Sequence, residues 1–496
     1  MNKIEINDLR SAIEYLKNVK GQLVKSDVEV NPHGELAGIY RHIGAGGTVK
    51  RPTKIGPAMI FNNVKGHKDS KVIIGLLASR DRVGMLLDCE PKKLGFLLNE
   101  AVKNPINPII IENENAPCQE VVHYATDEGF DIRKILPAPT NTEEDAGPYI
   151  TLGMCYARDP ETGEGDVTIH RLCLQGKDEL SMFFTPGVRH LDAFRKKAEE
   201  SGEPLPISIS IGVDPAIEIA SCFEPPTTPI GFNELSIAGA IRKKPVEMVK
   251  CLTVDEAAIA RAEYVIEGEL VPNKRVREDM NTNTGKAMPE FPGYTGEAAK
   301  ELPVIRVKAI THRKNPIMQT CIGPSEEHVN MAGIPTEASI IQMVEKAMPG
   351  RLVNVYAHPA GGGKYMAILQ IKKGVPSDQG RERQAALLAL SAFSEFSELK
   401  TVILVDEDVD PFDSNDVLWA LNTRYQGDID TIFIPGVRCH PLDPSQSPEY
   451  SWTIRDRGIA CKTIFDCTVP YELKDKFKRA KFTEVDLDKF KIEEYN

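Results

Sequence analysis

Apolar and polar positions alternate along this chain in two rhythms, and the change of rhythm divides it. Near the start, Leu9, Ile13, Leu16 and Val19 recur at helical spacing behind the polar pair Asn7-Asp8, which predicts an amphipathic helix with a side-chain cap. The runs MIFNNV and KVIIGLLA, and the III that ends NPINPIII, read as short strands. From Ile150 to about Glu269 strands crowd together. ITLGMCYA, DVTIHRLCLQ and LSMFF form an antiparallel meander, and PISISIGV, VEMVKC and AEYVIEGEL follow. Two helices interrupt them. HLDAFRKKAEESG turns Leu191 and Phe194 inward and stops at Gly202; AIEIASCF is started by Asp214-Pro215. Many strands with few helices point to a barrel-like or sandwich domain.

Beyond Leu302 the pattern becomes α/β. PVIRVKAITH is a strand, and a helix, EASIIQMVEKAM, begins at Thr336-Glu337. LVNVYAH and YMAILQIKK flank PAGGG; RQAALLALSAF and NDVLWALNTR are helices among the strands TVILVD, DTIFIPG and KTIFDCTVP. The charged end beyond Lys474 is predicted as a terminal helix with a frayed tip. The division is an N-terminal α/β region over 1–120, a strand-rich domain over 121–305, a C-terminal α/β domain over 306–473 and a tail over 474–496.

One strand departs from its pattern. Period two puts Val167, Ile169, Arg171 and Cys173 on one face of DVTIHRLCLQ, and Asp166, Thr168 and His170 on the other. An Arg in an apolar row is either solvated at a surface hairpin or paired. The Gly-rich, basic RHIGAGGTVKRP lacks both the dinucleotide fingerprint and the Walker pattern, and reads as a flexible surface loop. In GGGK, Lys364 is followed by Tyr365 and a strand, so it is no phosphate loop.

Composition narrows the function. A chain of 496 residues exceeds one hydrophobic core. The net charge of −12 and the absence of a basic stripe disfavour nucleic acid as a partner. No signal-like or membrane-spanning run occurs, and ten Cys without a CxxC pair read as reduced cytosolic thiols. No HExxH, GxSxG or EF-hand pattern is present. What remains is a dispersed polar set: Asp166, Arg171, His190, Glu234, Glu290 and Glu297, the last two in the Pro/Gly-dense MPEFPGYTGE.

These residues carry a resemblance. DVTIHRLCLQ, the His of GVRH, the Glu of GFNELSIAGAI, EGEL followed by MPEFPGYTGE, and DVDPFDSNDVLWALNTR resemble the UbiD-type reversible decarboxylases nearly end to end. ELAGIYRHIGAGGTVKRPT, TIHRLC and HPLDPSQSPEYS look most like the branch acting on gallate, 3,4-dihydroxybenzoate and 4-hydroxybenzoate. The resemblance implies a central split β-barrel-like domain that binds prenylated flavin mononucleotide, between two α/β domains. It implies a divalent metal, manganese or another such as magnesium, on Asp166, His190 and Glu234, with potassium nearby. Asp166 stands where the family usually has Asn. Thr168, Ile169, His170, Arg171, Arg189 and Ser221 fall near the flavin contacts, whereas Asn415 replaces a family Lys and is given no phosphate role.

Arg171, Glu290 and Glu297 match the family's Glu–Arg–Glu triad if a two-residue insertion lies within FPGYTG. Losing carbon dioxide from an aromatic ring needs an electron sink that no side chain supplies, so a cofactor takes that part. Arg171 would grip the carboxylate bidentately, and a Glu would protonate the ring carbon. A bulge, or a frayed start at Asp166, would reconcile metal and substrate roles on one strand. His328 above all, then Lys364, His440, Arg189 and Asp443, are polar residues suited to phenolic hydroxyls. The implied partners are a small aromatic acid, a flavin prenyltransferase, further copies in a dimer or hexamer, and a small accessory subunit; no membrane is implied. Alternatives are 4-hydroxybenzoate, a polyprenyl-hydroxybenzoate or a heteroaromatic acid as substrate, a non-catalytic flavin-phosphate-binding subunit, and a metal-dependent hydrolase. The last leaves Arg171 without a role.

Overall fold

The computed structural model describes residues 4–49, 55–185, 190–392, 398–490 and 492. Asp8 closes a capping box with Ser11 and starts the helix Leu9–Lys17, whose Leu9, Ala12, Ile13 and Leu16 are buried. The strands Leu23–Ser26, Ala58–Phe61 and Lys71–Ile74 form a sheet whose fourth member, Ile317–Thr320, comes from beyond the central domain and runs parallel to Lys71–Ile74. The start of the Gly-rich segment, expected to be loop, is a π-helical turn, Arg41–Ala45. Packing decides this. The side chain of Tyr40 is buried, and a Cβ on Gly44 would lie 2.4 Å from its ring.

Six antiparallel strands close the central barrel: β1 (Tyr149–Arg158), β2 (Gly165–Leu174), β3 (Glu179–Met182), β4 (Leu205–Ile211), β5 (Tyr264–Val276) and β6 (Leu302–His312). Their order is β5-β4-β1-β2-β3-β6, closed by β5 pairing with β6. Closure removes the free edges of a sheet. Leu172 and Leu174 of β2 point into the barrel core with Ile207, Ile209 and Ile266. Val167 and Ile169 face outward onto the helices α2 (Pro215–Ala220) and α3 (Leu235–Arg242). Between the meander and β4, α1 (His190–Ser201) covers the barrel with Leu191, Phe194 and Ala198.

A long helix, α4 (Glu326–Ala347), joins the barrel to the C-terminal unit. Its N-cap, Ser325, lies eleven residues before the expected start at Thr336, and the helix contains Pro335. The proline is tolerated inside the helix because Ile334, Pro335 and Ala338 are buried, and packing offsets the one missing backbone donor. The C-terminal sheet runs in the order Leu352–Ala357, Met366–Ile371, Thr401–Asp406, Ile459–Cys467, Thr431–Arg438, antiparallel at both ends and parallel between. In place of the expected terminal α-helix, the tail holds two 3₁₀ stretches, Tyr471–Phe477 and Leu487–Phe490, with no buried side chain to stabilise a longer helix. No helix among the described residues is long and apolar enough to cross a membrane.

Asp214 ties α2 to α3. Its Oδ1 accepts from Ala216 N at 2.9 Å, and Arg242 donates to both carboxylate oxygens at 2.8 and 2.6 Å. We expect Asp214→Ala to lower the first unfolding transition by about 3–5 kcal/mol, because Arg242 is left half-buried without its anion. Urea unfolding followed by fluorescence measures this; an unmoved transition would exclude that role.

Candidate active site

A cavity of about 210 Å³ opens where the barrel, α4 and the C-terminal unit meet. Ile169, His170 and Arg171 of β2 form one wall, with Leu152 of β1 and Ser221 at the end of α2. β1 carries an extra residue here: Ile150 pairs with Leu172 and Gly153 with His170, so Thr151 and Leu152 share the place opposite Arg171. The expected bulge therefore exists, but in the partner strand. Asp166 is not frayed; it pairs with Ala157 and is buried.

Arg171 is 11% exposed and held by two acids. Its Nε and Nη2 donate to Glu278 Oε1 and Oε2 at 2.9 and 3.0 Å, and its Nη1 donates to Glu290 Oε1. Its guanidinium also stacks on Phe183, 3.9 Å from the ring centre. Glu290 sits at the tip of the hairpin Lys286–Pro289/Thr295–Glu297, where Gly293, at φ +97°, makes the turn and donates to Glu290 O. Burial raises the Glu290 carboxyl above its ordinary range, and the Glu278 charge adds to this against the opposing pull of Arg171 and Lys364.

Glu297 does not reach Arg171. It is 73% exposed and lies 3.7 Å from Arg457 Nη1. The second acid is Glu278, which follows β5 and was overlooked in VREDM, where it reads as one of several solvated charges. The Nε–Nη2 fork of Arg171 is already taken by Glu278, so a further carboxylate is left the Nη1–Nη2 edge. Two of its five N–H donors remain, one on Nη1 and one on Nη2.

Behind β2, three residues from separate elements converge. Asp166 of β2, His190 at the start of α1 and Glu234 at the start of α3 are buried, and their ligand atoms lie within 4.8 Å of one another. His190 Nδ1 lies 3.0 Å from Asp166 Oδ1; Asp166 Oδ2 and His190 Nε2 are buried without a hydrogen-bond partner. Burial, then the charge of Asp166, drives the Glu234 carboxyl well above its ordinary range. Two orphaned ligand atoms beside two crowded carboxyls fit a divalent cation. Nearby, His170 Nδ1 donates to Phe183 O at 3.0 Å, leaving Nε2 to accept from Thr168 Oγ1 at 2.8 Å. The Ser221 hydroxyl donates to Ile217 O. Arg189 lies outside the described residues.

The far end of the cavity is aromatic and basic. His328 is on the first turn of α4, not in a loop, and stacks on Phe291 at 5.3 Å. Burial, then the Lys364 charge, pushes its imidazole down to about 3. Lys364 Nζ donates to Glu398 Oε1 at 2.7 Å and sits 5.4 Å from the Phe291 ring centre. His440 packs edge-on against Phe291 and lies 3.9 Å from Glu398. Asp443 does not line this cavity and instead accepts from Lys400 at 2.6 Å. Phe291 and Glu398 were not singled out in the sequence; Phe291 stands beside Glu290 in MPEFPGYTGE, while Glu398 has no local signal.

Fold and site together define a carboxy-lyase. Residues 14–102, 109–326 and 329–467 match the N-terminal, Rift-related and C-terminal domain models of 3-octaprenyl-4-hydroxybenzoate carboxy-lyase, and the chain belongs to this UbiD family. It is 57% identical over 479 residues to gallate decarboxylase of Lactiplantibacillus plantarum, spanning 96% of this chain and 97% of that protein. It matches the apo structure of a 3,4-dihydroxybenzoic acid decarboxylase from Enterobacter cloacae with a TM-score of 0.92 and 60% identity, covering 98% and 99% of the two chains. An evolved dimeric form of the UbiD-class enzyme HmfF from Pelotomaculum thermopropionicum, in complex with prFMN, matches with a TM-score of 0.81 and 32% identity over 98% and 100%.

Two outcomes follow from this geometry. His190→Ala and Glu234→Ala should each weaken manganese retention by about a hundredfold or more, read by metal analysis after dialysis, whereas Asp166→Asn keeps a ligand oxygen and retains the ion. Full manganese in both alanine variants would remove the trio from metal binding. Separately, Glu278→Gln should cut turnover by about a hundredfold and Glu297→Gln by less than about twofold. The reverse ranking would return Glu297 to the triad.

Proposed function

We propose that this protein decarboxylates a hydroxylated aromatic acid, with 3,4-dihydroxybenzoate and gallate as the substrates, reversibly when carbon dioxide is abundant. The observation that carries the reading is the cavity's polarity: a guanidinium between two acids at one end, and His328, Lys364 and His440 around Phe291 at the other. A ring acid laid between them presents its carboxylate to Arg171 and its hydroxyls to the basic end. Leu152, Ile169 and Met331 supply apolar wall.

Prenylated FMN, when bound, supplies the electron sink for this reaction. Asp166, His190 and Glu234 would hold a divalent cation, manganese or magnesium, for its phosphate. Arg171 orients the substrate carboxylate with its two remaining donors. Glu290, whose carboxyl burial raises above its ordinary range, delivers the proton that replaces the lost carbon dioxide. At the other end His328 stays neutral above about pH 3, so it accepts or donates one hydrogen bond without competing with Lys364 for charge. A flavin prenyltransferase is the supplier of the cofactor. The same reading includes assembly as a homo-oligomer, as the dimeric form of the related HmfF suggests.

The test is carbon dioxide release, or isotope exchange with bicarbonate, across a series of acids by the cofactor-loaded enzyme. 3,4-Dihydroxybenzoate and gallate should lead, 4-hydroxybenzoate should match or trail them, and benzoate and cinnamate should be poor, because without a ring hydroxyl the acid offers the polar groups of that end no hydrogen bond. His328→Leu should narrow that gap about tenfold while leaving flavin binding intact. Cinnamate outpacing every hydroxybenzoate would end the phenolic-acid assignment.

A further inference from the structure

The two acids on Arg171 are held unequally. Glu278 accepts four hydrogen bonds: two from Arg171, one from Ala299 N at 2.9 Å and one from Tyr149 Oη at 3.0 Å. Its backbone is fixed as well, since its N–H donates to Ala299 O and its carbonyl accepts from Gln175 Nε2. Glu290 has no such set; the guanidinium reaches it through Nη1 only, and it sits at a hairpin tip against the cavity.

Tyr149 has no solvent exposure and begins β1, paired with Cys173 of β2 and packed on Ala146 and Met288. It does not line the cavity, so it touches neither reacting atom. Burial holds its phenol far above the ordinary range, which leaves Oη a neutral donor at every working pH. We infer that Tyr149 is a positioning residue that settles which acid of the pair carries the exchangeable proton, by holding Glu278 as the anion and so leaving the proton on Glu290.

The inference rests on Glu290 being the proton donor, as read above. A hydrogen bond donated to a carboxylate favours its charged form, and an anion beside a second carboxyl keeps that one protonated. The charged and titratable groups facing the pair are Arg171, Tyr149, Cys173, Lys364 and Tyr365, the last held neutral by burial, besides the two acids themselves. Cys173 is pushed up to about 12 by burial and stays neutral, and Lys364 is engaged by Glu398. Tyr149 is the neutral side-chain donor to the anionic member of the pair.

The experiment is the pH profile of kcat/KM for the cofactor-loaded enzyme in Tyr149→Phe, which removes Oη and keeps the ring. Losing one donor leaves Glu278 and Glu290 more evenly matched for the proton they share. The acid limb should therefore move up by about one pH unit and the basic limb down, narrowing the bell. Infrared titration of the protonated carboxyl that vanishes in Glu290→Gln should show the same downward shift. A tyrosine that only packs would lower the rate equally at all pH values, and unmoved limbs overturn the inference. Should Tyr149→Phe not fold, wild-type sequence carrying fluorotyrosine, a stronger donor, should move the acid limb down instead, and unmoved limbs there overturn the inference equally. Glu290→Gln, run alongside, should lose at least about a hundredfold in turnover. Retained activity in it removes the proton-donor reading and this inference together, whereas a dead Glu290→Gln with unmoved limbs in Tyr149→Phe overturns the inference alone.

Discussion

A guanidinium cannot shed its charge, and Arg171 is placed where water reaches it poorly. Several kcal/mol of lost hydration must be offset by anions held in good geometry. Much of the site's architecture answers that demand. Glu278 and Glu290 come from different segments after β5, Tyr149 and Ala299 N steady one of them, and the bulge in β1 opposite Arg171 loosens the regular ladder around it.

Strand β2 carries two charge systems, five residues apart on opposite faces. Arg171 and its acids lie toward the cavity, while Asp166 meets His190 and Glu234 on the other side. One system carries an excess of proton affinity and the other an excess of ligand atoms. Since alternate residues of a strand cannot exchange faces without a register slip, neither set drifts into the other's role. The helices α1 and α3 complete the second system by delivering His190 and Glu234 at their first turns, so the barrel and its covering helices must both be in place before the trio exists.

What the chain discloses before folding depends on the range of the interaction. The Asp8 cap, the Asp214-Pro215 start and the meander around DVTIHRLCLQ were legible because each is decided by neighbours a few residues away. The oddity of Arg171 in an apolar row was legible too. Glu278 was not, because Tyr149, 129 positions away, and Ala299 give it its meaning. Asp166, His190 and Glu234 have no spacing signature and were reached through family resemblance alone. α4 was expected only from Thr336, but it runs through Pro335, where burial overrides the local preference of proline. The tail fails in the other direction: its helical pattern meets no surface on which to pack.

The strand Ile317–Thr320 closes the N-terminal sheet against Lys71–Ile74. During synthesis, about 240 residues separate the two on the ribosome, which at ordinary elongation rates is roughly 10 to 50 seconds. For that interval the edge formed by Val72, Ile73 and Ile74, all buried in the finished protein, has no partner on that side. The N-terminal third of the chain thus cannot mature as an independent unit. It waits, with an apolar strand edge unpartnered on that side, until the barrel sequence has been made.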